Sequence, residues 1–204
     1  LPSDRSLSVG QYWERRRALG ALPFWLLFIG MVGQLLRLGI IEGSDLILDG
    51  TTLQAWFHQD PEAGWSFPKP WKGSTWGYKV HTVLCRWSQL PVMFLVTSAN
   101  RQESVLAVPL LSLTVLCFGL TIRIVRADAG YFTLAIMSFI RLVLGASFVI
   151  DYNLRREGKR FLATLFFIDQ WRFHMRPRAT IERHFAWAKR YFALESARWA
   201  GLTA

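Results

Sequence analysis

The sequence predicts an α/β fold in which a mixed sheet is covered by helices. Short apolar runs of strand length alternate with longer runs of helical periodicity along the chain. After a helical opening region, they follow in the order three strands, helix, strand, helix, strand, helix. This order is typical of a sheet that contains both parallel and antiparallel pairs.

The opening region, residues 1–43, is predicted to be a helical segment. Apolar residues recur at helical spacing up to Gly39, and Gly43-Ser44 ends the region. We therefore expect two parts, a short helical segment at 1–43 and an α/β domain at 44–204. Leu1 stands at the start in place of Met, and no secretory signal is present, so we expect a fragment of a longer chain.

The remaining elements follow from apolar runs and the turn residues between them. Strands are predicted at 46–48, 76–84, 90–97, 121–128 and 147–150, and helices at 103–113, near 131–143 and around 178–195. The strands at 76–84 and 90–97 are separated by a short turn, so they should pair as antiparallel neighbours. The stretch from Asp60 to Ser74 is rich in Pro and Gly and is predicted to be a loop.

The net charge of +10 predicts a polyanionic partner, because clustered Lys and Arg release counterions when they bind phosphates. From residue 155 to residue 198 there are eleven basic and four acidic residues, an excess of +7. Nucleic acid and an anionic membrane surface both satisfy this charge. Cys85 and Cys117 lack the spacing of a zinc site or a disulfide framework.

A small membrane protein is the main competing interpretation, since uncharged runs at 19–36 and 104–122 approach the length of a membrane span. The second run contains Pro109 and Gly119 and ends in a strand-like segment. It therefore favours a helix, a turn and a buried strand. We expect no membrane partner.

Two acids lie at the ends of predicted strands, Asp49 and Asp128. If these strands are neighbours, the acids meet at one edge of the sheet, and Glu182 on the last helix is the candidate third acid. Hard divalent cations take oxygen ligands, and a pair of them bridges the attacking and leaving oxygens in phosphoryl transfer. Acids so close should resist full deprotonation until a cation offsets their repulsion.

The acids also stand in longer motifs. These are Leu46-Ile47-Leu48-Asp49-Gly50-Thr51, Ala127-Asp128-Ala129-Gly130-Tyr131, and Arg178, Glu182 and Lys189 spaced as Arg-x3-Glu-x6-Lys. Between the first two lie Gly77-Tyr78-Lys79-Val80-His81, Leu90-Pro91 and Thr97-Ser98-Ala99-Asn100. In this order, over roughly residues 40–201, the motifs resemble those of the DDE transposases of bacterial insertion sequences. Met175 stands where that family usually has Tyr.

The resemblance implies a ribonuclease H-like core with Asp49, Asp128 and Glu182 as catalytic residues that bind Mg²⁺ or Mn²⁺, with two ions expected. It implies DNA contacts by Arg178, Lys189 and Lys79. The expected partners are double-stranded DNA, at transposon ends and target sites, and a second copy of the chain, in the bacterial cytoplasm with the nucleoid. The 54 residues from Asp128 to Glu182 leave no room for a large insertion domain.

One further function stays open from the sequence, and the histidines and tryptophans have simpler explanations than a role in the site. A decayed or domesticated transposase would bind DNA without cutting it. His81, His174 and His184 are better explained as packed or DNA-facing residues than as metal ligands. The tryptophans between residues 56 and 76 are better explained by packing than by stacking on bases.

Overall fold

A computed structural model describes residues 8–68, 73–151, 173–192, 194 and 196–197 of the chain. The helices are α1 (Val9–Leu19), α2 (Leu22–Arg37), α3 (Glu103–Phe118), α4 (Leu134–Ser138) and α5 (Ala179–Phe192). The strands are β1 (Asp45–Ala55), β2 (Gly64–Trp65), β3 (Trp76–Cys85), β4 (Pro91–Ser98), β5 (Ile124–Ala127), β6 (Ser147–Ile150) and β7 (Ser196–Ala197). Short 3₁₀ turns lie at Ala129–Tyr131 and Arg176–Arg178, and a π-helical turn follows α4 at Phe139–Val143.

The sheet is mixed, as predicted. Its main strands lie in the order β4-β3-β1-β5-β6, with β2 paired to one end of β3 and β7 to the end of β1. The β1–β3 and β3–β4 pairs are antiparallel, whereas β1–β5 and β5–β6 are parallel. Helix α3 connects β4 to β5, and α4 with its π-helical turn connects β5 to β6. This architecture is a ribonuclease H-like α/β fold.

The two faces of β1 contact different helices, because successive side chains of a strand point to opposite sides. Leu46 and Leu48 are fully buried in a core that contains residues of α2, α3, α4 and the π-helical turn. Ile47, on the opposite face, is buried against Ile181 and Phe185 of α5. Helices therefore cover both faces of the sheet at β1, and α2 belongs to the same core as α3.

Strand β1 is longer than the sequence predicted. It continues through Asp49 to Ala55, because β3 pairs with it in an unbroken antiparallel register from Leu46 opposite Cys85 to Gln54 opposite Gly77. The expectation that Asp49 ends its strand was therefore wrong. Asp128 does follow the last residue of β5, which begins at Ile124 and not at residue 121.

The predicted helices are present with changed boundaries. The helix expected near 131–143 is divided into a 3₁₀ turn, α4 and the π-helical turn, and the helix expected around 178–195 is α5, which ends at Phe192. Of the loop predicted from Asp60 to Ser74, residues 64–65 form β2, while residues 69–72 lie outside the described residues. The basic residues at 155–160 lie outside them too.

The two apolar runs form α2 and α3. Helix α3 has a buried face that includes Ala107, Leu110 and Leu111, and it ends at Gly119, which adopts the left-handed conformation. The helix and turn are as predicted. Across the described part of the chain, no single helix has the length and apolar character to cross a membrane. The bent pair Gly10–Leu19 and Leu22–Arg37 has both by length and composition alone.

A glycine at the start of β3 is required by the close approach of β1. A Cβ atom added at Gly77 would lie 2.1 Å from the carbonyl oxygen of Leu53, and the glycine has φ of 154°. We therefore expect Gly77→Ala to destabilise the protein by about 1–3 kcal/mol or more, since backbone must shift to accept the methyl group. Denaturant unfolding measures this loss.

The matched control is Gly30→Ala in α2, where an added Cβ would meet no atom within 4 Å. There the exchange should stabilise by about 0.5–1 kcal/mol, because alanine restricts the unfolded chain and favours the helix. Equal effects of the two substitutions would contradict the close strand contact at Gly77.

Candidate active site

Two acids reach one edge of the sheet through the parallel pair β1–β5. Ile47 lies opposite Arg126 in this pair, so two residues further along both strands Asp49 is level with Asp128. Strand β5 ends at Ala127, and β1 continues past it. The crevice beyond the carboxyl ends of parallel strands is where α/β proteins bind their ligands.

Each of these carboxylates is held by a glycine N–H in its own motif. The backbone N–H of Gly50 donates to Oδ1 of Asp49, and that of Gly130 donates to Oδ1 of Asp128, both at 2.8 Å. Asp128 thereby caps the 3₁₀ turn Ala129–Tyr131. These hydrogen bonds fix the orientation of both side chains.

A third acid, Glu103, completes a cluster with Asp49 and Asp128. The three half-buried residues each offer a carboxylate oxygen, and these oxygens all lie within 4.8 Å of one another. Oxygens that share one Mg²⁺ lie at most about 4.2 Å apart, which is twice the Mg–O distance. An all-oxygen donor set of this size fits Mg²⁺ or Mn²⁺ after small adjustments of the side chains.

Glu182 is linked to this cluster by Arg178, which contacts both Glu182 and Asp49. Arg178 Nη2 donates to Oε1 of Glu182 at 2.8 Å, while its Nη1 lies 3.6 Å from Oδ2 of Asp49. The Glu182 side chain is 58% exposed. The structure thus brings Asp49 and Asp128 together and leaves Glu182 on the outer side of the Arg178 guanidinium. The role of Glu182 as the third ligand stays a prediction.

The other two predicted DNA-binding residues occupy different surroundings. Lys79 is buried on β3, and its Nζ lies 3.1 Å from Oε1 of Glu103. Lys189 of α5 lines a small polar pocket of 70 Å³. The pocket is also lined by Gly50, Thr51, Thr52, Ser66, Gly73 and Thr75. The DNA contacts of both lysines stay predictions, and Lys79 is paired with an acid of the cluster.

The pKa of Asp49 is raised from 3.8 to about 7. Burial is the largest cause, and the charges of Asp128 and Glu103 add to it, while the Gly50 hydrogen bond and Arg178 act in the opposite direction. For Asp49, the expectation of resistance to deprotonation agrees with this direction. Desolvation raises this pKa more than repulsion by the neighbouring acids does, whereas the sequence suggested repulsion as the cause.

This shift makes the metal-free fold weaker as the pH rises. The folded-state pKa of Asp49 lies above its unfolded value of 3.8. The contribution of this carboxyl to folding stability is therefore fully present below pH 3.8 and is lost as the pH rises through about 7. We expect Asp49→Asn to stabilise the metal-free protein at pH 8, by up to about 4 kcal/mol at about 1.4 kcal/mol per pKa unit. Urea unfolding at pH 4 and at pH 8, with a chelator present, measures the difference.

Glu14→Gln, at an exposed position of α1, is the matched control and should change little at either pH. A gain for Asp49→Asn of the same size at both pH values would mean that ionisation of this carboxyl is not the cause.

A buried ion pair supports the strand pair that carries the acids. Arg126 of β5 is 1% exposed and donates from Nε and Nη2 to the two oxygens of Asp45 on β1, both at 2.8 Å. Arg86 also donates to Asp45, at 2.9 Å, and Nη1 of Arg126 donates to the carbonyl of His174. These contacts join β1 to β5 four residues before Asp49 and two residues before Asp128.

His81 is buried, whereas His174 is exposed and His184 is half-buried. His81 is 1% exposed, and its Nε2 lies 2.9 Å from Oγ1 of Thr97. Burial, and then the charge of Lys79, lower the pKa of His81 to about 4, so its ring is neutral at pH 7. None of the three histidines belongs to the acid cluster among the described residues.

Sequence reasoning missed Glu103. It stands three residues after Asn100, the last residue of the Thr97-Ser98-Ala99-Asn100 motif, and is the first residue of α3. The available signal was an acid at the start of the helix that leads from the antiparallel hairpin to the Asp128 strand. Without coordinates, an acid in the first turn of a helix is fully explained by the helix dipole.

The fold and the acid cluster together indicate a class of enzyme. A ribonuclease H-like sheet with one acid within β1 and another just after the end of the neighbouring β5 is typical of enzymes that transfer phosphoryl groups of nucleic acids with divalent metals. The chain belongs to the transposase DDE domain family, whose model matches residues 42–204. A comparison with curated proteins found no match.

Proposed function

We propose that this protein cuts DNA at the ends of an insertion sequence and joins those ends to target DNA, with two Mg²⁺ or Mn²⁺ ions as cofactors. The observation that carries the proposal is the meeting of Asp49 and Asp128, from neighbouring parallel strands, with a further carboxylate within 4.8 Å. Acids from separate elements that converge beside a crevice are the donor set that such chemistry requires.

Asp49 and Asp128 would hold the ions, and Glu182 would complete their coordination. Ions held by these residues would supply Lewis-acid assistance to in-line attack by water or a DNA 3′-hydroxyl on phosphorus. The Gly50 and Gly130 hydrogen bonds keep the two aspartates aimed at the same space. Holding the ligands in advance lowers the cost of organising the site for reaction.

Arg178 contacts both Glu182 and Asp49, and in the proposed scheme it moves as Glu182 joins the cluster. Its guanidinium lies between Glu182 and Asp49, where it partly neutralises both. A DNA phosphate is a strong bidentate partner for arginine and would draw Arg178 away from these acids. In this scheme DNA binding and completion of the metal site occur together.

The proposed DNA contacts follow from the charge of the chain. A net charge of +10 favours double-stranded DNA, with Arg178, Lys189 and Lys79 as contacts near the scissile phosphate. Lys189 shares its polar pocket with Gly50, next to Asp49. A homodimer on paired DNA ends, in the cytoplasm with the nucleoid, completes the proposal. The helical segment at 1–43 is proposed as a distinct N-terminal part of the chain, although its helix α2 packs in the core of the α/β domain.

Incubation with DNA that carries the element ends, with and without Mg²⁺, tests the function. We expect nicks at the element boundary only when Mg²⁺ is present, because carboxylates without a metal ion provide no Lewis acid. A decayed transposase that acts as a binding module would shift the same DNA in a gel without cutting it. Binding without cleavage in Mg²⁺ or Mn²⁺ would therefore overturn the enzymatic proposal.

A further inference from the structure

We propose that Glu103 is a metal ligand of this site and that, before DNA binds, Asp49, Asp128 and Glu103 are the three carboxylates that hold the ion. The inference rests on the proposed function and adds a residue to its site. Its basis is the position of Glu103 between the two motif glycines, the packing of its helix and the contrast with Glu182.

The Glu103 carboxylate spans the space between the two aspartate motifs. A Cβ atom added at Gly50 would lie 3.1 Å from Oε1 of Glu103, and one added at Gly130 would lie 3.9 Å from Oε2. One oxygen therefore faces the residue after Asp49, and the other faces the turn after Asp128. The glycine at position 50 leaves the room that this carboxylate occupies.

The backbone of α3 holds Glu103 in this position. Glu103 is the first residue of a helix of 16 residues, whose buried face includes Ala107, Leu110 and Leu111. A carboxylate in the first turn is also favoured by the partial positive charge of the helix N-terminus. Metal binding then has to fix only the side chain of Glu103, because its backbone is already placed by α3.

Glu182 is less suited to this role in the same structure. Its Oε1 accepts from Arg178, and its side chain is 58% exposed, against 23% for Glu103. Glu182 is not among the acids of the cluster in the described part of the chain. Glu103 already lies with Asp49 and Asp128.

A purely structural role for Glu103 is the competing explanation. Lys79 forms an ion pair with Oε1, and both side chains are largely buried. If Glu103 serves only to neutralise Lys79, its removal weakens the fold but leaves metal affinity unchanged. The experiment therefore has to separate metal binding from folding.

Titration of the DNA-free protein with Mn²⁺, followed by electron paramagnetic resonance of the free ion, provides a readout without cleavage activity. We expect Glu103→Gln to weaken Mn²⁺ binding by at least about tenfold, since even residues that only support metal ligands cost 10- to 100-fold. Glu182→Gln should change the affinity by less than Glu103→Gln does, and Glu14→Gln should leave it unchanged. Wild-type affinity in Glu103→Gln would overturn the proposal.

Lys79→Met, alone and combined with Glu103→Gln, tests whether Glu103 serves only to neutralise Lys79. The single variant should bind Mn²⁺ at least as tightly as wild type, because a positive charge beside the ion is lost. The double variant should lose at least about tenfold relative to Lys79→Met. Equal affinities of the single and double variants would mean that Glu103 acts only as the partner of Lys79.

Asp49→Asn and Asp128→Asn separate failure of this inference from failure of the proposed function. If both lose Mn²⁺ while Glu103→Gln retains it, only the role of Glu103 is wrong. If either retains wild-type affinity, or the wild-type protein binds no Mn²⁺, the metal site itself is wrong, and both proposals are overturned.

Discussion

Asp128→Asn is expected to lower Mg²⁺-dependent cleavage of element-end DNA by at least about a thousandfold, because a neutral amide cannot replace a carboxylate that holds the ion. The hydrogen bond from Gly130 to Oδ1 survives the exchange, since an amide oxygen also accepts. The 3₁₀ turn after β5 should therefore keep its shape, and the loss should reflect chemistry and not folding.

DNA affinity should stay within about threefold of wild type, because the DNA contacts are proposed for basic residues and phosphates dominate affinity. Gel-shift titration beside the cleavage assay measures both quantities on one preparation. Cleavage within tenfold of wild type would remove Asp128 from the catalytic residues. Equal losses of binding and cleavage would indicate a damaged fold.

Arg126→Ala is expected to destabilise the protein by about 3–5 kcal/mol, which is the usual cost of removing one partner of a buried ion pair. The substitution leaves Asp45, at 5% exposure, paired with Arg86, and it removes a hydrogen-bond donor from the His174 carbonyl. Because domains of this size are stable by only about 5–15 kcal/mol, the loss is a large share of the total. Urea unfolding measures it.

Arg123→Ala is the matched control on the same segment of the chain. Arg123 pairs with Glu42 at 2.9 Å, but its side chain is 71% exposed. An exposed pair of this kind contributes about 0–1 kcal/mol. Similar losses for the two arginines would contradict the claim that the buried pair, and not charge in general, joins β1 to β5.

The layout of the fold was largely predictable from the sequence, and the length of individual elements was not. Apolar runs separated by turn residues gave the order of strands and helices, because their periodicity follows from local geometry. The polar segment Asp49-Gly50-Thr51-Thr52 has no such signal. It is a strand because β3 pairs with it from a distance of about thirty residues, and only the folded chain shows that pairing.

The candidate site could be predicted where motifs carry it. Asp49 and Asp128 are both followed by glycines whose N–H groups hold them, so the chemistry is visible in short segments. Glu103 reaches the cluster from a different helix, and the Arg126–Asp45 pair joins residues 81 positions apart. Contacts of this kind depend on packing and leave no local pattern in the sequence.

Iron-directed cleavage of the protein backbone tests most directly whether acids from β1 and β5 meet around a metal ion. Fe²⁺ replaces Mg²⁺ in oxygen-ligand sites, and with ascorbate and peroxide it cuts the chain beside the residues that bind it. We predict cuts near residues 49–50 and 128–130, with a third near 103, all suppressed by excess Mg²⁺. Cuts at only one of the two strands, or cuts that Mg²⁺ does not suppress, would contradict the account.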